Sequence, residues 1–163
     1  MKANVLAAVI VFCALACAVG CASTRQFVPL PDQQTSIQNA DQGRIYVLRP
    51  ERLLGAAARM QVRDGDRPIG DLGTHSYLCW ERAPGKTTVF LDFHTMDDFS
   101  IAMPEELDVQ RGQVYYLRAG LLSMNPVSTD TNLLDRLWRL DDAEGKLMLQ
   151  KCNPPPRTAP SSR

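Results

Sequence analysis

Between Arg44 and Leu140 the sequence breaks into apolar or alternating runs of five to nine residues, most of them closed by Gly, Pro or a polar turn. Runs this short, rich in β-branched and aromatic residues, suit strands and do not sustain a helical period. "RIYVLRP" (44–50) is apolar on both faces, which predicts a central strand ended by Pro50. "RMQVRDG" alternates, with Met60 and Val62 inward and Arg59, Gln61 and Arg63 outward, and Asp64-Gly65 predicts a tight hairpin turn into "RPIGDLG". "SYLCWER" (76–82) is a further strand, closed by the turn "APGK". In "TTVFLDFH" (87–94), Val89, Leu91 and Phe93 share one face and Thr88, Phe90, Asp92 and His94 the other. "FSIAM" (99–103) alternates again, and Pro104 confines it to an edge or a strand end. "GQVYYLRAG" (112–120) is a strong strand, and "DRLWRL" (135–140) reads as a strand or as the start of a helix.

Asp141 with Glu144 forms a capping-box pattern that opens a helix running to about Lys151. Leu147, four residues beyond Ala143, with Met148 and Cys152, makes its expected apolar side, and Gly145 weakens it by about 1 kcal/mol relative to Ala. The fold class expected is therefore mainly β, an antiparallel β-sandwich of about seven strands with one short C-terminal α-helix.

The N-terminus reads differently. Met1-Lys2 precedes the apolar run "VLAAVIVFCALA" (5–16), long enough for an export signal and too short for a membrane span. Gly20 stands directly before Cys21, with Ala22 and Ser23 after it, and this looks like a bacterial lipoprotein signal in which the Cys thiol is acylated. The Leu usual three residues before that Cys is Ala18 here, which keeps "ALAC", ending at Cys17, as a rival site. Each buried CH₂ contributes about 0.8 kcal/mol, so two or more chains on Cys21 would anchor the protein to a membrane without a spanning helix. Ala22 in place of Asp resembles the Gram-negative lipoproteins sorted to the outer membrane, so a periplasm-facing envelope location is expected.

The organisation expected is a signal peptide (1–20), the lipidated Cys and a flexible tether (21–43), a β-sandwich domain (44–152) and a disordered Pro/Ser-rich tail (153–163). The polar stretch 22–43 would span about 25–30 Å as a free coil, and "NPPPRTAPSSR" reads as solvated slack. With 18 Lys and Arg against 18 Asp and Glu, no charge excess attracts nucleic acid. Cys79 and Cys152 permit one disulfide in an oxidising compartment, worth about 4 kcal/mol in the chain-entropy model. Their alternative is a pair of buried free thiols.

Catalytic patterns are sparse. His94 shares a strand face with Asp92, but on the side expected to be polar, and Ser76, Ser100 and Ser123 lack a nucleophile-elbow context. No H-E-x-x-H, C-x-x-C or P-loop occurs, so no catalytic, cofactor or metal residue is assigned. Asp64, Asp66, Asp97 and Asp98 read as turn residues, and Glu105, Glu106 and Asp108 as a solvent-facing cluster. Tyr115, Tyr116 and Trp80 read as core aromatics with a ligand groove as the alternative.

The ordered set Asp64-Gly65 with Gly70, Ser76-Tyr77, Pro84-Gly85, Gly112 with Tyr115-Tyr116, and Gly145 with Cys152 resembles the bacterial lipoprotein family known as domain of unknown function 2846, over residues 44–152. Lys86-Thr87 departs from the His frequent in relatives after Pro-Gly, and Cys79 is not general to that family. It is also similar to small surface β-domains of the PEGA type, which implies a sandwich and no known activity. Two functions are expected from these residues. One is a non-catalytic interaction or structural module contacting an envelope protein or peptidoglycan. The other is a small-ligand carrier or hydrolase with a site built from loops 95–98 and 121–132.

Overall fold

A computed structural model describes residues 23–33, 37, 40–50, 60–94, 100–121 and 135–156. Among the described residues, nine strands and one helix form a two-sheet sandwich. Five strands make the larger sheet, in the order β1 (Arg25–Gln26), β4 (Arg67–Leu72), β3 (Met60–Asp64), β6 (Gly85–His94), β7 (Ser100–Val109). The smaller sheet runs β5 (Ser76–Arg82), β2 (Gly43–Arg49), β8 (Val114–Leu121), β9 (Asp135–Leu140). Among the described strands all pairings are antiparallel except β2 with β8, which is parallel and corrects the all-antiparallel expectation. A parallel pair needs a long crossover, and here five strands, β3 to β7, separate β2 from β8 along the chain.

Alternation explains the interior. Ile45 and Val47 of β2, Leu78 and Trp80 of β5, and Tyr115, Leu117 and Ala119 of β8 meet Met60, Val62, Ile69, Val89 and Leu91 of the facing sheet. Every residue of β2 is buried, as expected of a strand apolar on both faces. Pro104 lies inside β7 opposite Phe90, which is tolerated because β7 is the edge of its sheet. "DRLWRL" is strand β9, with Leu137 in the core.

Asp64, at the β3–β4 turn, ties the sheets together. Its carboxylate accepts from Trp80 Nε1 (2.9 Å), from Arg82 Nη1 (2.5 Å) and from the Thr87 hydroxyl. Gly65, at φ 59°, makes the turn that an L side chain would strain.

Both supposed slack ends begin inside the fold, a correction to the expected boundaries. β1 pairs with β4, and Gly70 lets it approach so closely that a Cβ there would stand 2.4 Å from Arg25 O. At the other end Asn153 forms a parallel bridge with Ser76, its N–H donating to His75 O (2.9 Å) while its carbonyl accepts from Tyr77 N (3.2 Å). The helix α1 spans Asp142–Leu149, and the Asp141 carboxylate caps it by accepting from Glu144 N at 2.8 Å. Its buried side is only partly the expected one, keeping Met148 and Cys152 but leaving Ala143 and Leu147 exposed. Gly145 faces the sheet with Met148 and Leu149 half-buried beside it, and Leu147 is 57% exposed.

Candidate groove on the outer face of the smaller sheet

The residues that alternate away from the interior make a second cluster. Tyr46 and Leu48 of β2, Tyr77 and Cys79 of β5, and Tyr116 of β8 all point outward from the smaller sheet and are all buried. An ordinary sandwich leaves such a face to water. Here α1 lies over Tyr116, because Gly145 has no side chain: a Cβ there would stand 2.2 Å from the Tyr116 ring. Segment 23–33 covers the β5 side, where the Gln26 amide behaves as a missing strand. Its Oε1 accepts from Cys79 N (3.1 Å) and its Nε2 donates to Cys79 O (2.7 Å).

The tyrosines form a connected set. Tyr46 and Tyr116 stack at 5.3 Å between centroids, and Tyr46 meets Tyr77 edge-on at 5.8 Å. Both Tyr46 and Tyr77 hydroxyls donate to Gln33 Oε1, at 2.9 and 3.4 Å. Beside them Arg44 and Glu81 form an ion pair of 2.7 Å whose side chains are only 3% and 9% exposed. Between α1, β2, β8 and the N-terminal segment opens a groove of about 510 Å³, bordered by Gln33, Arg44, Tyr46, Val114, Tyr116 and Lys146 among others.

The thiols and phenols of this region are neutral. Burial pushes the Cys79 thiol up to about 12, the Cys152 thiol to about 11 and the Tyr77 hydroxyl to about 12. The same desolvation raises Tyr46 and Tyr116 above their ordinary values. At neutral pH these groups keep their protons, so none is a thiolate or phenolate nucleophile. The groove can offer aromatic rings, hydroxyls and a buried ion pair for recognition.

Cys79 and Cys152, read as a possible disulfide or as two buried free thiols, are free and buried in the structure. Cys79 stands opposite Tyr46 on β2, whereas the Cys152 thiol takes a hydrogen bond from the Arg49 backbone. Asp92, expected on a polar face, is buried and paired with Arg63, whose Nη2 reaches its Oδ1 at 3.1 Å. That guanidinium also lies over the Phe90 ring at 4.6 Å. Trp80 and Tyr115 are interior residues, so of the three aromatics considered for a groove only Tyr116 lines one. Glu106 and Asp108 are exposed on β7 itself. Among the described residues no cluster of three His, Cys, Asp or Glu side chains could hold a metal ion, and no helix is long and apolar enough to cross a membrane. Cys17, Cys21, Asp97, Asp98, Ser123 and the loop sites at 95–98 and 122–132 lie outside the described residues.

Sequence reading missed Arg44, Tyr46, Gln26 and Gln33. Tyr46 carried a usable signal, an aromatic on the second face of a strand already apolar on its first. The two glutamines sit in a stretch whose composition reads as coil.

Fold and groove together define a small β-sandwich with a helix-covered second face. The chain matches the family described as "Protein of unknown function (DUF2846)" over residues 39–131, and it belongs to that family. That match ends before β9 and α1, short of the resemblance drawn to residue 152. No curated protein and no solved structure matches the chain.

Proposed function

We propose that this chain is an envelope lipoprotein, anchored by acyl chains on Cys21, whose sandwich is a non-catalytic binding module. The address is supported by the apolar run ending in Gly20-Cys21. The role is supported by the groove, whose Tyr46 and Tyr116 hydroxyls are held protonated by burial and whose Arg44 is paired with the buried Glu81. Such a surface recognises a partner and lacks an activated group to attack one. The ligand-carrier reading keeps one observation in its favour, since about 510 Å³ is within the range of small-molecule pockets.

Two measurements test this. Cys21→Ser should abolish incorporation of a labelled fatty acid and membrane fractionation; undiminished labelling would move the anchor to another residue. A photo-crosslinker at Lys146, on the groove rim, should give a discrete protein or glycan adduct in intact envelopes that one at Lys86 does not. Identical patterns from both positions would remove the groove from the binding role.

A further inference from the structure

The path of the chain from Cys21 into the fold is short. Thr24 is already buried, its hydroxyl bonded to the Ser76 hydroxyl and accepting from Gly73 N at 2.9 Å. Gln26 follows with its two bonds to the Cys79 backbone, and Phe27 N donates to Ile69 O at 2.8 Å. Releasing this segment would strip hydrogen-bond partners from buried backbone groups. Residues 23–33 are therefore part of the domain, and the reach from Cys21 to Thr24 is at most about 11 Å.

That spacing selects one end of the sandwich. Thr24 meets the Gly73–Ser76 turn, and Arg49 Nη1 donates to Leu72 O at 2.9 Å beside it. The opposite end carries Gly43 against Arg82, Gly85 against Val109, and the exposed Arg111–Asp41 pair. Strands of seven to ten residues separate the two ends, a distance of about 23–33 Å.

We infer that the domain docks directly on the bilayer that holds its acyl chains, with the Gly73–Ser76 end toward the lipid headgroups and the Gly43–Gly112 end away from them. This rests on the proposed acylation of Cys21. The outward side chains of the docked strand suit that contact. Phe27 is 43% exposed, with the Arg25 guanidinium 5.6 Å from its ring centroid, an aromatic and a cation at headgroup level. Asp71 opposite Arg25 keeps the patch near neutral, so anchorage by the acyl chains and the short reach, rather than charge, sets the orientation. A groove bordered by Gly112, at the far end, is then presented away from the membrane.

The test places a fluorophore on Arg25→Cys, on Pro154→Cys beside the Asn153 bridge, or on Arg111→Cys, in the lipidated protein on phosphatidylethanolamine–phosphatidylglycerol vesicles. The vesicles carry a nitroxide-labelled headgroup as quencher. Quenching several-fold stronger at 25 and 154 than at 111 is expected, and a long Gly-Ser insertion between Ala22 and Ser23 should erase the difference. Equal quenching at all three positions without the insertion overturns the docking while leaving the anchor intact. A protein that fails to float with the vesicles overturns the anchor, and the docking with it.

Discussion

The interior between the two sheets and the cluster outside the smaller sheet are both apolar, yet they are held in different ways. The interior is mostly aliphatic, with Trp80 and Tyr115 as its large aromatics, and it is enclosed by strands of both sheets. The outer cluster has three tyrosines and two thiols, roofed by one eight-residue helix and a strap paired over only two residues. Its polar tips depend on Gln33 and Gln26, side chains of the strap and of the segment that follows it. The difference teaches that a strand apolar on both faces does not dictate what covers its second face. A short helix and an extended strap suffice, and such covers open locally at lower free energy than a two-sheet core.

The largest effect should come from the interior. Trp80→Ala removes a fully buried indole and its bond to Asp64, which ought to cost about 3–5 kcal/mol in denaturant titration. A cost below about 1 kcal/mol would mean that the outer cover, and not the sandwich interior, carries the stability.

Alkaline pH should act on the outer cluster. Folding raises the Cys79 thiol from its ordinary 9 to about 12, so the native state keeps a proton that the unfolded chain loses. Stability from this group is fully present below pH 9 and declines as pH rises from about 9 to about 12, by on the order of 4 kcal/mol at most. Cys79→Ala should flatten that limb in unfolding measured across pH. A limb of unchanged steepness would place the titrating group elsewhere.

Gly145→Ala tests the roof. A methyl group pushed into the Tyr116 ring should cost about 1–3 kcal/mol and loosen the helix. The readout that separates roof from interior is Cys152, whose reaction with a thiol reagent should accelerate while amide exchange in β3 and β6 stays slow. Simultaneous acceleration of both would show that the two regions open as one unit. Leu147→Lys should be the mildest change, within about 0.5 kcal/mol by thermal unfolding, because that side chain faces water. A large loss would return Leu147 to the packed side that its spacing suggested.

Local chemistry was enough to read much of this molecule. Alternation placed β3 and β6, with Met60, Val62, Val89 and Leu91 inward, and the Asp64-Gly65 turn is where its residues require it. The Asp141 cap sits at the predicted helix start because capping depends on neighbours three residues away. The groove was not legible, since Arg44, Tyr46, Tyr116 and Lys146 come from elements far apart in the chain. Position 145 shows why: Gly there reads as a helix weakener, and only the Tyr116 ring beneath it explains why no side chain fits.

The order of residues by itself determined most of the strands, their inward faces, the turn at Gly65 and the capped helix, because periodicity, capping and backbone strain act over a few residues. Tertiary structure alone decided that β2 lies parallel to β8, that segment 23–33 is strap and not slack, and that Cys79 and Cys152 stay apart. Those outcomes depend on which distant surfaces bury each other. A polar stretch such as 23–33 acquires its structure from the edge of β4, which β1 pairs, and from Cys79 on β5, which no local pattern announces.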